Sequence, residues 1–155
     1  MLLRPKSLDE ATALLAQERA VVMAGGTDLY PAWVDRPQPE PILDVTAIAG
    51  LRGIAREPDR WRIGGATTWT DIARAGLPPA FAALQSAARE IGSLQIQNRA
   101  TIAGNLCNAS PAADSVPPLL ALDASVELTS ASGTRTLPLA DFIKGNRRTE
   151  KRADE

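Results

Sequence analysis

"VVMAGGTDL", residues 21–29, decides how the rest of this 155-residue chain is read. Ala20 to Met23 is a short, wholly apolar run that fits a buried strand. Gly25-Gly26 then forces a turn, and Thr27 opens a helix that Pro31 interrupts. A strand entering a Gly turn before a helix suits an anion, because glycines let backbone N–H groups approach it and a helix start adds unpaired donors. The stretch has neither the Gly-Lys-Ser/Thr of a Walker A loop nor the third Gly of a dinucleotide fingerprint. By itself it reads either as a phosphate loop or as a tight left-handed turn.

Working outward, Ser7-Leu8-Asp9-Glu10 fits a capping box, and Leu8, Ala11, Leu14 and Leu15 recur at helical spacing, so a helix is expected over 8–18. "PQPEP", 37–41, is a loop, and Ile42 to Val45 is a second buried strand. Residues 1–50 therefore form a first lobe with a small parallel sheet. Residues 51–145 form a second, α+β lobe. Its strands are expected at Leu51–Ala55, Arg60–Ile63, Ser125–Thr129 and Thr134–Pro138, and its helices at Thr70–Ala75 and Pro79–Ile91, with a closing helical turn at Leu139–Ile143. The final stretch "NRRTEKRADE", 146–155, carries seven charged residues and no apolar period. It reads as a polar tail, either frayed or belonging to a connection, and Arg147, Arg148 and Arg152 read as solvated charge or as a contact for a partner.

Composition removes whole classes of chemistry. Histidine is absent and Cys107 is the single cysteine, so a Ser-His-Asp triad, a His-ligated metal and a Cys-ligated cluster are all excluded within the chain. No catalytic side chain and no metal ligand is assigned. Cys107 is expected to be a small packed side chain. A formal net charge of −1 argues against a nucleic-acid role or an anionic-membrane role. There is no long uncharged apolar window and no signal-peptide pattern, so cytoplasmic placement is expected.

A second small, polar stretch stands out, "TIAGNLCNASPAAD", 101–114, which shows neither helical nor strand period. Ala103-Gly104-Asn105 brings bare backbone, Thr101 offers a hydroxyl, and Asn105 tolerates a left-handed turn. Asp114 sits where it either accepts from a ribose hydroxyl or caps a helix starting at Ser115. Two such turns, one in each lobe, suit a long phosphate-bearing ligand held between them.

"AGGTDL" followed by "IQNRATIAGN" and "ASPAAD" resembles the FAD-binding subunit of the molybdenum hydroxylases, the xanthine dehydrogenase and carbon monoxide dehydrogenase type. "LLRPKSLDEATALL", "WRIGGATTWTDI" and "DFIKGNRRTEKRADE" extend the resemblance along essentially the whole chain. It implies an α+β FAD-binding fold of the vanillyl-alcohol oxidase and p-cresol methylhydroxylase type, with two α+β subdomains and FAD between them. Carried over, Val22, Met23, Ala24, Gly25, Gly26, Thr27, Asp28 and Leu29 line the ADP side of the cofactor, with Gly25, Gly26 and Thr27 on the pyrophosphate. Thr101, Ile102, Ala103, Gly104 and Asn105 clasp the pyrophosphate and lie against the flavin. Asp114 binds FAD, Ile91 supplies an apolar contact, and Thr149 to Arg152 fall near the ring.

The resemblance also implies partners, an iron–sulfur subunit with two [2Fe–2S] clusters and a molybdopterin-binding large subunit. Electrons would pass through FAD to NAD+ or another acceptor. Ala103 stands where the family has Gly, a family lysine contact has no counterpart, and family members continue into a further C-terminal domain. The rival readings are a module that no longer holds FAD and a generic ADP- or NAD-binding domain.

Overall fold

The computed structural model describes every residue except Arg36 and the stretch 38–40, so most of the loop expected at 37–41 lies outside the described residues. Strand β1 (Leu2–Leu3) leads to helix α1 (Leu8–Gln17), then to β2 (Val21–Met23) and β3 (Ile42–Asp44). These strands form a parallel sheet in the order β1-β3-β2. Leu43, at its centre, is fully buried and packs with Ala11, Leu15 and Ile48. Ser7 caps α1 by accepting from the Glu10 N–H at 3.2 Å. The reciprocal bond of a capping box is displaced by one residue, since the Glu10 carboxylate accepts from Lys6 N–H at 2.8 Å.

The helix expected from Thr27 is not formed. Residues 27–30 make a turn closed by Tyr30 N–H donating to Gly26 C=O at 3.0 Å, followed by a single 3₁₀ turn, Pro31–Trp33. Pro31 has no N–H with which to extend an α-helix.

Beyond Gly50 the chain builds antiparallel hairpins and short helices. β4 (Ile54–Arg56) pairs with β5 (Trp61–Ile63), and α2 (Trp69–Arg74) and α3 (Ala82–Glu90) follow. Next come α4 (Leu94–Gln97), α5 (Ile102–Asn108) and α6 (Val116–Ala121), then the hairpin β6 (Ser125–Ser130) and β7 (Gly133–Pro138), and α7 (Leu139–Phe142). Trp69, Ile72, Leu84, Leu139 and Phe142 form the centre of this larger core. Mixed helices and strands, with the parallel sheet confined to the first 50 residues and antiparallel pairs after it, give an α+β chain. No helix among the described residues is long and apolar enough to cross a membrane.

The expected polar tail is instead ordered structure. β8 (Ile143–Gly145) pairs with β9 (Arg148–Thr149), and the last residue returns to β7. Arg135 donates from Nε to Glu155 Oε1 at 2.5 Å and from Nη2 to Glu155 Oε2 at 2.8 Å. The Glu155 side chain is only 3% exposed. Its hydrogen bonds from Arg135 hold the carboxyl below the ordinary glutamate range; burial pushes the other way, and the Arg152 N–H and nearby guanidinium charges reinforce the lowering. A carboxylate with a depressed folded-state pKa stabilises the fold above its unfolded value and loses that contribution as pH falls through the folded one. Glu155→Gln should therefore lower the urea midpoint at pH 6, and the gap from wild type should close as pH drops from about 4.5 towards 3. A gap that stays constant down to pH 3 would remove the ion pair from the account.

Candidate functional site

Two segments meet at a cleft of about 660 Å³. One is the loop leaving β2, residues 24–29; the other is the approach to α5 and the first turns of that helix. They touch at Gly25. A Cβ built there would lie 2.1 Å from Arg99 O and 2.9 Å from Ala100 Cα, so only glycine permits the approach. Gly26 has φ +73°, a left-handed conformation that a side chain rarely adopts.

The 24–29 loop is open in hydrogen-bond terms. Among the described residues, none of the N–H groups of Ala24, Gly25, Gly26, Thr27, Asp28 and Leu29 donates to a protein acceptor. These six consecutive donors without a protein partner stand at the wall of the cleft, on a loop that is half-buried to exposed. They are the groups that an anion would engage.

The second segment differs from its expected form. Residues 102–108 are helix α5, not an irregular turn, with Thr101 as N-cap accepting from Gly104 N–H at 3.2 Å. Ile102 N–H donates to Thr67 C=O at 3.0 Å and Ala103 N–H to Gly65 C=O at 3.1 Å. The backbone donors expected to clasp a phosphate at Ala103-Gly104 are thus already engaged within the protein. A fully buried Thr67, hydroxyl-bonded to Gly53, fixes this helix start to the rest of the core.

Of the residues expected at the cofactor, Val22, Ala24 to Leu29, Ile91, Thr101, Gly104, Asn105 and Asp114 all line the cleft. Met23, Ile102 and Ala103 do not. Alternation along β2 turns Met23 away from the side that Val22 faces, and it is buried to 6% exposure. Ile102 points into the main core. The Ala103 methyl lies against Gly65, 3.0 Å from where a Cβ on Gly65 would sit, which is why alanine fits there without narrowing the cleft. Asn105 Oδ1 accepts from buried Ser115 Oγ at 2.6 Å, so its amide is fixed in orientation. Asp114 caps nothing, since α6 has no side-chain cap, and its carboxylate is free among the described residues.

Residues 1–155 match the family described as FAD binding domain in molybdopterin dehydrogenase. The chain belongs to that family. It is 40% identical to the nicotinate dehydrogenase FAD-subunit of Eubacterium barkeri, over 97% of this chain and 54% of that protein. It is 37% identical to the xanthine dehydrogenase FAD-binding subunit of Escherichia coli O157:H7, over 98% of this chain and 53% of the relative. Among solved structures, a carbon monoxide dehydrogenase from Hydrogenophaga pseudoflava superimposes with TM-score 0.89 at 33% identity, over 99% of this chain and 55% of the other. The chain spans about half the length of the curated relatives it matches.

Residues beyond those expected from the sequence also face the cleft. They include Gly92, Ile96, Cys107, Asn108, Ser110 and Arg147. Cys107 is exposed there, not packed away as expected. Although its side chain opens on the cleft, the protein packed around it disfavours the thiolate and pushes the thiol pKa up, with the Lys151 charge opposing, so the thiol stays protonated at neutral pH and reacts slowly. Because it is the sole cysteine, it reports on the cleft without ambiguity.

Proposed function

We propose that this cleft holds FAD, and that the chain is the flavin-bearing part of a molybdopterin-dependent dehydrogenase. The observation that carries the reading is the run of free N–H donors from Ala24 to Leu29, set against the glycine-only contact at Gly25. A charge-assisted backbone hydrogen bond contributes about 1.5–3 kcal/mol, so three or four of these donors suffice for a pyrophosphate without a lysine. Gly25, Gly26 and Thr27 are assigned to the pyrophosphate. Thr101, Gly104 and Asn105 form the facing wall, and Ile91 and Ile96 cover an apolar part of the ligand. Asp114 accepts from a cofactor N–H or hydroxyl.

The finer assignments rest on family likeness. The fold is of the vanillyl-alcohol oxidase and p-cresol methylhydroxylase type, with subdomains 1–50 and 51–145 on either side of the cofactor. Bound flavin supplies the electron transfer, and the protein supplies position, polarity and exclusion of water. The partners are an iron–sulfur subunit and a molybdopterin-binding large subunit, with NAD+ or another acceptor as the outlet. No side chain of this chain acts as a catalytic acid or base.

Protein titrated with FAD should develop a structured flavin absorbance and quench flavin fluorescence at 1:1 stoichiometry. Colourless protein that takes up no FAD would sink the reading, and equal affinity for ADP and FAD would favour a nucleotide site indifferent to the flavin half. Cys107 gives an independent readout. Saturating FAD should slow maleimide labelling of Cys107 at least about tenfold, whereas riboflavin-free buffer leaves the rate unchanged. Labelling that ignores FAD would place the cofactor elsewhere.

A further inference from the structure

Arg147 is the only cationic side chain among the described residues that line the cleft. Its placement is specified by two bonds. Its backbone N–H donates to Ala109 C=O at 2.9 Å, and its Nη1 donates to Asn108 Oδ1. Both Ala109 (φ 44°) and Arg147 (φ 57°) sit in the left-handed region, so the end of α5 and the β8–β9 turn are both bent to make this contact. No ion pair engages the guanidinium among the described residues, which leaves its charge and remaining donors for a ligand.

Position along the cleft separates this charge from the phosphate loop. The free donors of 24–29 meet the start of α5, through Gly25 against Arg99 and Ala100. Arg147 is bound to Asn108, at the other end of the same seven-residue helix. At 1.5 Å per residue the two ends are about 10 Å apart, too far for one pyrophosphate to span.

Resting on the FAD reading, the geometry points to Arg147 as a residue that would tune the flavin ring through its fixed positive charge, with Asn108 holding its orientation. Reduction by two electrons with uptake of one proton turns the neutral ring into an anion, and a fixed positive charge favours that form over the oxidised one. Arg147 is a positioning and electrostatic residue here and transfers no proton.

The test compares FAD-loaded wild type, Arg147→Gln and Arg147→Lys, reduced with dithionite against reference dyes, alongside calorimetry with ADP. Loss of the charge should weaken binding of reduced relative to oxidised flavin about tenfold, which moves the midpoint potential about 30 mV more negative. Lysine should restore much of that shift, and ADP affinity should be unchanged in all three proteins. An unchanged potential in Arg147→Gln overturns the inference, as does a parallel loss of ADP and FAD affinity, which would assign Arg147 to the phosphates. Asn108→Ala keeps the charge but frees its orientation. It should give an intermediate shift, and a wild-type potential in that variant removes Asn108 from the role. Wild-type protein that binds no FAD would instead defeat the functional reading, before any variant is compared.

Discussion

Gly25→Ala should lower FAD affinity by about two orders of magnitude. The added methyl would sit 2.1 Å from Arg99 O, 2.7 Å from Arg99 C and 2.9 Å from Ala100 Cα. These are backbone atoms and cannot rotate aside, so the overlap is relieved only by parting the 24–29 loop from the entry to α5. Overpacking of this kind costs about 1–3 kcal/mol, and 2.7 kcal/mol is roughly a hundredfold in affinity. The movement falls on the two segments that form the cleft, so the loss should show in binding more than in thermal stability. Gly76→Ala is the matched control, because nothing lies within 4 Å of its Cβ position. Calorimetry that returned wild-type affinity for Gly25→Ala would mean that the two segments do not jointly hold the ligand.

The second large effect is on the fold itself. Leu43 is fully buried and belongs to the middle strand of the parallel sheet, hydrogen-bonded to β1 on one side and β2 on the other. Leu43→Ala removes side-chain contacts to Ala11, Leu15 and Ile48 and leaves a cavity. Such truncations cost about 2–5 kcal/mol, and at this size each kcal/mol moves Tm by about 2–4 °C. A fall of roughly 6–15 °C is expected, against little change for Leu2→Ala, whose side chain is 55% exposed. A drop of less than about 3 °C in a scanning calorimeter would show that this core repacks freely.

Local signals in the sequence carried the regular elements well. Ser7 with Leu8, Ala11 and Leu15 marked α1, and the alternation of Trp61 and Ile63 with Arg60 and Arg62 marked a half-exposed strand. Helix α5 was illegible because its buried positions reduce to Ile102 and Leu106, set among small residues and a glycine, with its start fixed by a Thr101 cap and by distant carbonyls at Gly65 and Thr67. The ordered end of the chain was hidden for the same reason. Arg135 reaching Glu155 and Arg147 reaching Ala109 are tertiary pairings that no window of neighbouring residues reveals.

At the site, the motifs pointed to the two segments that line the cleft but could not say which way each side chain turns. Consecutive residues of a strand face opposite sides, so Val22 and Met23 part company. A motif written as a continuous string therefore includes residues that serve the core. Arg147 shows the converse: the β8–β9 turn brings to the cleft a charge that the sequence placed in a solvated tail.

Helix α1 packs against β6, although more than a hundred residues separate them in the chain. During synthesis at about 5–20 residues per second, the side of α1 that meets β6 waits several seconds before that strand leaves the ribosome. Leu8 and Leu14 are packed within the amino-terminal lobe itself, so what that interval leaves uncovered is only the surface of α1 that β6 later meets. Slowed translation over that stretch would lengthen the time the first lobe stands without β6, and would raise aggregation without altering the finished protein.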